Sequence, residues 1–380
     1  MNEPLSIGVL GYRFMGKAHA NALARLPMFF PDAPDVERRV LVGRDEDALA
    51  DAVDELGFEE YNTDWEDVIG DVDVFYNLGP NAIHADPSIA ALDAGTAVFC
   101  EKPLAHTFDD AKRMRDAARD ADVPSGVAFN YRFIPAVRYA KRLIDSGELG
   151  EIRHVRGSYL QDFLADPEAP WSWRLDADVA GSGALGDLGA HTLDLTRFLV
   201  EDRTGKIEDI RGQLRTFVDE RPVSGADETR PVTVDDAYTA QATFKNGAVG
   251  TFEASRFATG HKNDHSVEVN GSKGSLRFSV ERPNELEFLG PDDRGFQTIM
   301  VTADEDPYLE RWWPEGHVLG WEHTFVFENY EFLSAVANTD TDSDERSSSD
   351  VPTFEDGYRV QQLLAAIEKS DESGERVNVS

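Results

Sequence analysis

Leu5-Ser-Ile-Gly-Val-Leu10 runs directly into Gly11-Tyr-Arg-Phe-Met-Gly16 and then into Lys17-Ala-His-Ala-Asn-Ala-Leu-Ala-Arg25. The first stretch is a short apolar run, as a strand buried on both faces requires. The last is rich in alanine and leucine and predicts a helix. Between them, Gly11 permits a tight turn and Gly16 permits close helix–strand packing. A helix that opens directly after such a turn can hold a pyrophosphate on its unpaired amides. The pattern departs from G-x-G-x-x-G at its middle position, where Arg13 stands. On these residues alone, a plain βα turn with two glycines remains the alternative.

Working outward, Arg39–Val42, Val72–Leu78, Thr96–Cys100 and Ser125–Asn130 predict further strands, with helices near 46–57, 84–94 and 108–121. Alternating strands and helices predict a parallel sheet wound on both faces, with ligands at the carboxyl ends of its strands. This domain is expected to span 1–126, leaving 127–380 for a second one. An acidic residue usually ends the second strand and binds the ribose 2′-hydroxyl of NAD. Gly43 and Arg44 stand there instead. Glycine removes a carboxylate, and a guanidinium pairs bidentately with a 2′-phosphate, so NADP is favoured over NAD. The alternative is a solvated Arg44 with Asp45 on the ribose.

In the C-terminal half, strand-like alternation recurs at Ile152–Leu160, Ile207–Val218, Ala237–Phe244, Ala248–Arg256, His265–Asn270 and Ser275–Val280. Lys245-Asn-Gly247 is a hairpin signal between two of these. Consecutive strands predict antiparallel neighbours. Trp312-Trp-Pro-Glu-Gly-His317 and Trp321-Glu-His323 precede a helix expected at Thr324–Val336. These tryptophans either pack in the core or line a sugar pocket. Residues 338–350 are rich in Ser and Asp and predict an acidic loop, followed by a last amphipathic helix at 354–369.

Two clusters carry chemistry. Glu101-Lys102-Pro103 follows the fourth strand, which places a lysine at the cofactor crevice and fixes the backbone after it. Ala180-Gly-Ser-Gly-Ala-Leu-Gly-Asp-Leu-Gly-Ala190 leads into His191-Thr-Leu-Asp-Leu-Thr-Arg-Phe-Leu199. Asp187, His191 and Asp194 share one helical stripe, so Asp187 and His191 can point together. An imidazole titrates near neutrality and suits proton transfer with an alcohol. The competing reading is a glycine-capped helix with a surface ion pair. No metal site is expected, since the one cysteine is distant and no HExxH occurs.

Gly11…Gly16 with Phe14-Met15, Pro80-Asn81…His84, Glu101-Lys102-Pro103, Asn130-Tyr-Arg-Phe133 and Gly183-Ala-Leu-Gly-Asp187…His191 resemble the Gfo/Idh/MocA oxidoreductase family nearly end to end. Pro27-Met-Phe-Phe30, Tyr159-Leu-Gln-Asp162, Asp166-Pro167, Trp171-Ser-Trp-Arg174 and Ala180–Gly186 resemble its branch of levoglucosan and inositol dehydrogenases. The resemblance implies an α/β protein, a Rossmann domain plus a C-terminal α/β domain. That second domain would carry an open, mostly antiparallel sheet used for dimer or tetramer contacts. It implies a catalytic set of Lys102, Asp187 and His191. It places Gly11, Arg13, Phe14, Met15, Gly16, Arg44, Pro80, Asn81, His84, Glu101, Lys102 and Asn130 at the cofactor. Tyr131, Trp173, Arg174, Asp187, His191 and His317 are the candidate substrate contacts. Three positions depart from the family pattern: Arg13 for a glycine, Gly79 for the usual threonine before Pro80, and Gly43 for the usual acid.

Composition bounds the rest. Among 380 residues, 37 are Lys or Arg and 72 are Asp or Glu, a net charge of −35. Such a chain repels nucleic acid and anionic lipid. Only 9 of its basic residues are lysine. Acid-rich, lysine-poor surfaces suit a salty cytoplasm, where self-repulsion is screened; an ordinary acidic protein is the other reading. No apolar run approaches the ~20 residues of a membrane span, and no basic n-region precedes Leu5. The single Cys100 fits a reducing, cytoplasmic setting. The expected function is NAD(P)-dependent oxidation of a secondary hydroxyl on a sugar, anhydrosugar or polyol, in a homodimer or homotetramer. Lys102 and His191 would supply the acid–base chemistry, with the division of roles between them left open by the sequence. The alternative is a glycosidase or lyase that uses a retained cofactor for transient oxidation.

Overall fold

In the computed structural model, which describes residues 3–338 and 351–379, Leu5–Leu10 forms strand β1. The chain continues through α1 (Phe14–Phe29), β2 (Val36–Val42), α2 (Glu46–Leu56), β3 (Glu60–Asn62), β4 (Val74–Asn77), α3 (Ala85–Asp93), β5 (Ala97–Cys100), α4 (Phe108–Asp120) and β6 (Ser125–Val127). Six strands pair in the order β3-β2-β1-β4-β5-β6, every pair parallel. β4 and β5 are buried at every residue, which is why they read as unbroken apolar runs. The strand order reverses between β1 and β4. The crevice of a doubly wound sheet therefore opens beyond Leu10 and Asn77. β3 escaped sequence reading because Glu60-Tyr-Asn62 is a short, polar edge strand beside β2.

The rest of the chain runs α5 (Pro135–Asp145), β7 (Ile152–Leu160), α6 (Ala177–Ala180), α7 (Ala190–Thr204), β8 (Ile207–Arg215), β9 (Glu220–Pro222), β10 (Thr229–Pro231), β11 (Ala237–Phe244) and β12 (Val249–Ser255). Then come β13 (Asp264–Gly271), β14 (Ser275–Ser279), β15 (Glu285–Leu289), β16 (Gln297–Met300), α8 (His323–Ala337), α9 (Phe354–Ser373) and β17 (Val377–Asn378). Nine strands form the second sheet in the order β16-β15-β14-β13-β7-β12-β11-β8-β17. All its pairs are antiparallel except β12 beside β7. Along β11, Tyr238, Ala240, Ala242 and Phe244 are buried while Thr239 and Gln241 face solvent. α7 covers β7 and β13, and α5 covers β14 and β15. The expected hairpin forms: Gly247 adopts a φ of 86°, and Phe244 N donates to Ala248 O at 2.9 Å. β8 stops at Arg215 rather than Val218. The Asp236 carboxylate takes the amides of Phe217 and Val218, at 2.7 and 3.3 Å, out of the ladder.

The chain resolves into two compact units: residues 1–130 with 321–358, and residues 131–320 with 359–380. α8 belongs with the first of these units. Its apolar face meets aromatic residues there, Phe327 against Phe30 at 6.1 Å and Phe332 against Phe99 at 4.8 Å. The periodicity of an amphipathic helix reports that it has a partner, not which sheet supplies it. The acidic loop expected at 338–350 falls, apart from Asn338, outside the described residues. Among the described residues, no helix is long and apolar enough to cross a membrane.

Candidate active site

The glycine turn of the first unit is closed by contacts that exclude any side chain. A Cβ at Gly11 would stand 2.7 Å from the Leu78 carbonyl oxygen, and Gly11 has a φ of 108°. A Cβ at Gly16 would stand 2.2 Å from the Gly11 carbonyl oxygen. α1 begins at once, with no side-chain cap on its first amides and no acid in its first turn. Its positive end is therefore left for an anion, and the turn fits a pyrophosphate. Arg13 is exposed, its guanidinium 5.9 Å from the Tyr12 ring centroid. Phe14 is 65% exposed yet stacks flat on Trp321, 5.7 Å between centroids. Met15 is half-buried.

At the end of β2, Arg44 is exposed. The Asp45 carboxylate caps α2 by accepting Ala48 N at 3.2 Å. Gly43 has a steric reason of its own: a Cβ there would stand 2.5 Å from Tyr12 Cε1. At the end of β4, Asn77 Nδ2 donates to the carbonyls of Ile83 and His84, both at 3.0 Å, and so shapes the turn that carries Pro80 and Asn81. His84 is wholly buried. Its ring nitrogens stand 3.0 Å from the carbonyl oxygens of Pro103 and Gly79. It thus ties the loops after β4 and β5 together. After β5, Glu101 is buried and its Oε2 accepts the Lys102 amide at 3.0 Å. The Lys102–Pro103 peptide is cis. Asn130 Nδ2 donates to Thr324 Oγ1 at 2.7 Å.

The second unit carries Asp187 and His191. Leu185–Gly189 is a turn of π-helix that runs into α7, so Asp187 sits on a widened turn and His191 on the first turn of regular helix. Such insertions concentrate at functional sites. Two glycines allow the turn to press on the sheet. A Cβ at Gly183 would stand 1.7 Å from Asp235 O, and one at Gly189 2.6 Å from Tyr238 Cε1. The buried Asp235 carboxylate anchors the segment by accepting the amides of Gly183 and Leu185 at 2.7 and 2.8 Å. Burial pushes the Asp235 carboxyl up, against those two bonds and Arg256.

Around His191 lies an aromatic box. Tyr131 is 4.8 Å away between ring centroids, Tyr159 6.0 Å and His265 6.3 Å. Tyr159 donates to Asn263 Oδ1 at 2.8 Å, so the 2.8 Å contact between the two phenols is donated by Tyr131. Burial pushes the Tyr159 hydroxyl well up, helped by Tyr131. His265 is stacked on Tyr159 at 4.7 Å, and burial pulls its imidazole down to about 3. Tyr159 and His265 are therefore both neutral at neutral pH. Asp194, on the same stripe, is taken up by an ion pair of its own. Both its oxygens accept from Arg132, at 2.8 and 2.5 Å, in a buried ion pair.

Arg174 lies 4.5 Å over the Trp173 ring, and Trp171 donates Nε1 to Pro231 O at 3.0 Å. His317 is solvent-exposed, its Nδ1 donating to Pro314 O at 2.6 Å within a local turn. The structure thus brings Tyr131 and His191 together in the second unit and groups the turn, Pro80–His84 and Glu101–Lys102 in the first. Sequence reasoning missed Asp235, Asn263 and His265. Asp235 announced itself only as an acidic pair before a strand, and His265 as one member of a strand alternation.

Comparison with known proteins follows this division. Residues 5–129 match the oxidoreductase family with an NAD-binding Rossmann fold, and residues 137–277 match the GFO/IDH/MocA C-terminal domain. The chain is 39% identical to levoglucosan dehydrogenase of Pseudarthrobacter phenanthrenivorans, over 97% of this chain and 96% of that protein. A crystal structure of an oxidoreductase domain protein from Kribbella flavida superposes with a TM-score of 0.92 at 46% identity, covering 99% of each chain. A levoglucosan dehydrogenase in complex with NADH and L-sorbose superposes with a TM-score of 0.92 at 39% identity, covering 100% of each.

Proposed function

The chain belongs to the Gfo/Idh/MocA oxidoreductase family, and on that premise we propose that it oxidises a secondary hydroxyl of a sugar, anhydrosugar or polyol with a nicotinamide dinucleotide. The observation that carries this reading is the site of His191. An imidazole stands at a π-turn, one helical step past Asp187 and beside the rings of Tyr131 and Tyr159, with the neutral His265 as the other imidazole nearby. Such an imidazole can accept a proton from an alcohol.

When bound, the nicotinamide ring supplies the hydride acceptor. His191 takes the hydroxyl proton. Lys102 hydrogen-bonds the reacting oxygen and stabilises the negative charge developing on it. Asp187 binds a neighbouring hydroxyl and orients the ring, and Tyr131, Trp173, Arg174 and His317 contribute substrate contacts. Gly11, Gly16, Arg13, Phe14 and Met15 hold the pyrophosphate turn. Pro80, Asn81, Glu101 and Asn130 line the cofactor, and His84 acts through the loops it ties. Arg44 favours NADP. We read the chain as cytoplasmic and salt-adapted. It assembles as a homodimer or homotetramer through the solvent-facing side of the nine-stranded sheet.

The test is an absorbance screen of sugars, anhydrosugars and polyols with NAD and with NADP in high salt. Reduced nicotinamide is expected with at least one of them. Sugar conversion without net reduction would favour a retained cofactor and transient oxidation. No conversion of any carbohydrate would overturn the reading.

A further inference from the structure

The interior of the first unit holds a histidine that the proposed mechanism does not use. His19, in α1, is fully buried, and its ring packs edge-on against Phe99 and Phe325 at 5.6 and 5.3 Å. Two acids face it. Its Nε2 lies 3.5 Å from Glu101 Oε1 and 4.0 Å from Glu328 Oε1. Neither Nε2, nor Glu101 Oε1, nor either carboxyl oxygen of Glu328 has a hydrogen-bond partner. So many unsatisfied buried polar atoms around one spot call for an explanation beyond packing.

The bonds around Asn329 decide which nitrogen of His19 carries the proton. Asn329 Nδ2 donates to Phe325 O at 2.7 Å, and its Oδ1 accepts from the Tyr76 hydroxyl at 2.7 Å. These two bonds fix the amide. Its remaining hydrogen points at His19 Nδ1, 3.1 Å away. Nδ1 must accept, so the proton of the neutral ring sits on Nε2, aimed at the two acids. Two carboxylates do not both stay ionised so close together in a buried site. Burial and the Glu101 charge push the Glu328 carboxyl well above the usual carboxylate range. Glu328 is therefore the neutral acid of the two.

We propose that His19 is a positioning residue whose Nε2–H closes onto Glu101 Oε1 and so fixes the turn that presents Lys102. The inference rests on Lys102 being a catalytic group. Glu101 is then gripped at both oxygens, by His19 at one and by the Lys102 amide at the other. Loss of the Nε2–H lets Glu101 rotate. The cost falls on turnover, because the misplaced group is the one that acts on the reacting oxygen.

The side chains that test this differ in where they put a donor. Glutamine places an amide nitrogen near the position of Nε2, asparagine near that of Nδ1, and phenylalanine keeps the ring without either. With 15N-labelled histidine, the full chain is expected to show His19 as the neutral Nε2–H tautomer, its signals assigned by their loss in His19→Phe. In turnover of a sugar found by the screen, His19→Phe and His19→Asn are expected to lower kcat about 10-fold or more, with sugar KM within about twofold. His19→Gln is expected to keep kcat within about threefold of the parent. An Nδ1–H tautomer or an imidazolium overturns the proposal. So do equal kcat values in all variants, or a loss that glutamine does not rescue. A parent chain that oxidises no carbohydrate overturns the functional reading instead, and the tautomer still decides this one.

Discussion

His84 Nδ1 stands 3.0 Å from the carbonyl oxygen of Pro103, the residue that follows Lys102. With Nε2 equally close to the Gly79 carbonyl, one buried ring bridges the loops that leave β4 and β5. Burial pulls its basicity down, while the two carbonyls work the other way. His84→Leu fills similar space but removes the ring N–H that these buried carbonyls share. It is expected to cost about 1–3 kcal/mol of stability in urea unfolding. It is also expected to weaken NADH binding about 10-fold, because the loops carrying Pro80 and Glu101 lose their shared tie. Unchanged NADH affinity by fluorescence titration would reduce His84 to packing.

Lys102→Ala and His191→Ala are each expected to lower turnover by at least ~100-fold, the usual reach of a positioned acid or base. NADH binding should survive both, since the glycine turn and the open end of α1 are untouched. Parent-like turnover in both variants would remove the acid–base assignment.

The parts of this molecule that depend on local pattern were legible in its sequence. Gly11 and Gly16 read as a turn that tolerates no Cβ, and the contacts at 2.7 and 2.2 Å give the reason. Strands β4 and β5 read as apolar runs because both their faces are covered. What stayed hidden depends on long-range partners. Asp194 shares a helical stripe with His191, but Arg132, far away in sequence, claims it. Asp187 and His191 share a spacing, but nothing local announces the π-turn between them. Asp235, which anchors the segment leading into that turn, lies beyond a whole run of strands. His265 and Glu328 are ordinary members of a strand and a helix until burial makes them neutral.

His265 gives the fold an acid limit. Burial pulls its imidazole to about 3, whereas the unfolded chain titrates near 6.5. Above pH 6.5 both states are neutral and the group has no effect. Below it the unfolded chain binds a proton that the folded chain refuses, so stability falls from pH 6.5 towards about 3. At pH 5 the loss from this one group is about 2 kcal/mol. His265→Phe keeps a ring against Tyr159 and is expected to flatten that part of the profile. His84, lowered in the same direction, should leave a residual slope. An unchanged slope in urea unfolding between pH 7 and 5 would refute the assignment.

The charge of −35 is expected to make the fold salt-dependent. α2 shows why at close range: Glu46, Asp47, Asp51, Asp54 and Glu55 are all exposed, and the helix has no basic residue. At 1 M salt the Debye length is ~3 Å and these carboxylates hardly sense one another; at ~0.1 M it is ~10 Å and they do. Circular dichroism at about 50 mM salt, where screening is weak, should show loss of structure that 1 M salt restores. A spectrum and melting temperature independent of salt would make this an ordinary acidic protein.

On the proposed preference for NADP, Gly43 and Arg44 predict different outcomes. Tyr12 Cε1 stands 2.5 Å from the place a Cβ at residue 43 would take. An acid at this position therefore cannot reach a ribose without displacing that ring. Gly43→Asp alone is expected to weaken NAD and NADP alike, by disturbing Tyr12 beside the glycine turn. Arg44 is exposed, and the role proposed for it rests on its charge. Arg44→Ala is expected to raise the KM for NADP roughly 10-fold or more, the worth of charge-assisted bonds to a phosphate, and to leave NAD nearly unchanged. Equal effects on both cofactors would show that Arg44 does not touch the 2′-phosphate. Asp45 would not simply inherit the ribose in that case, because its carboxylate already caps α2 through Ala48.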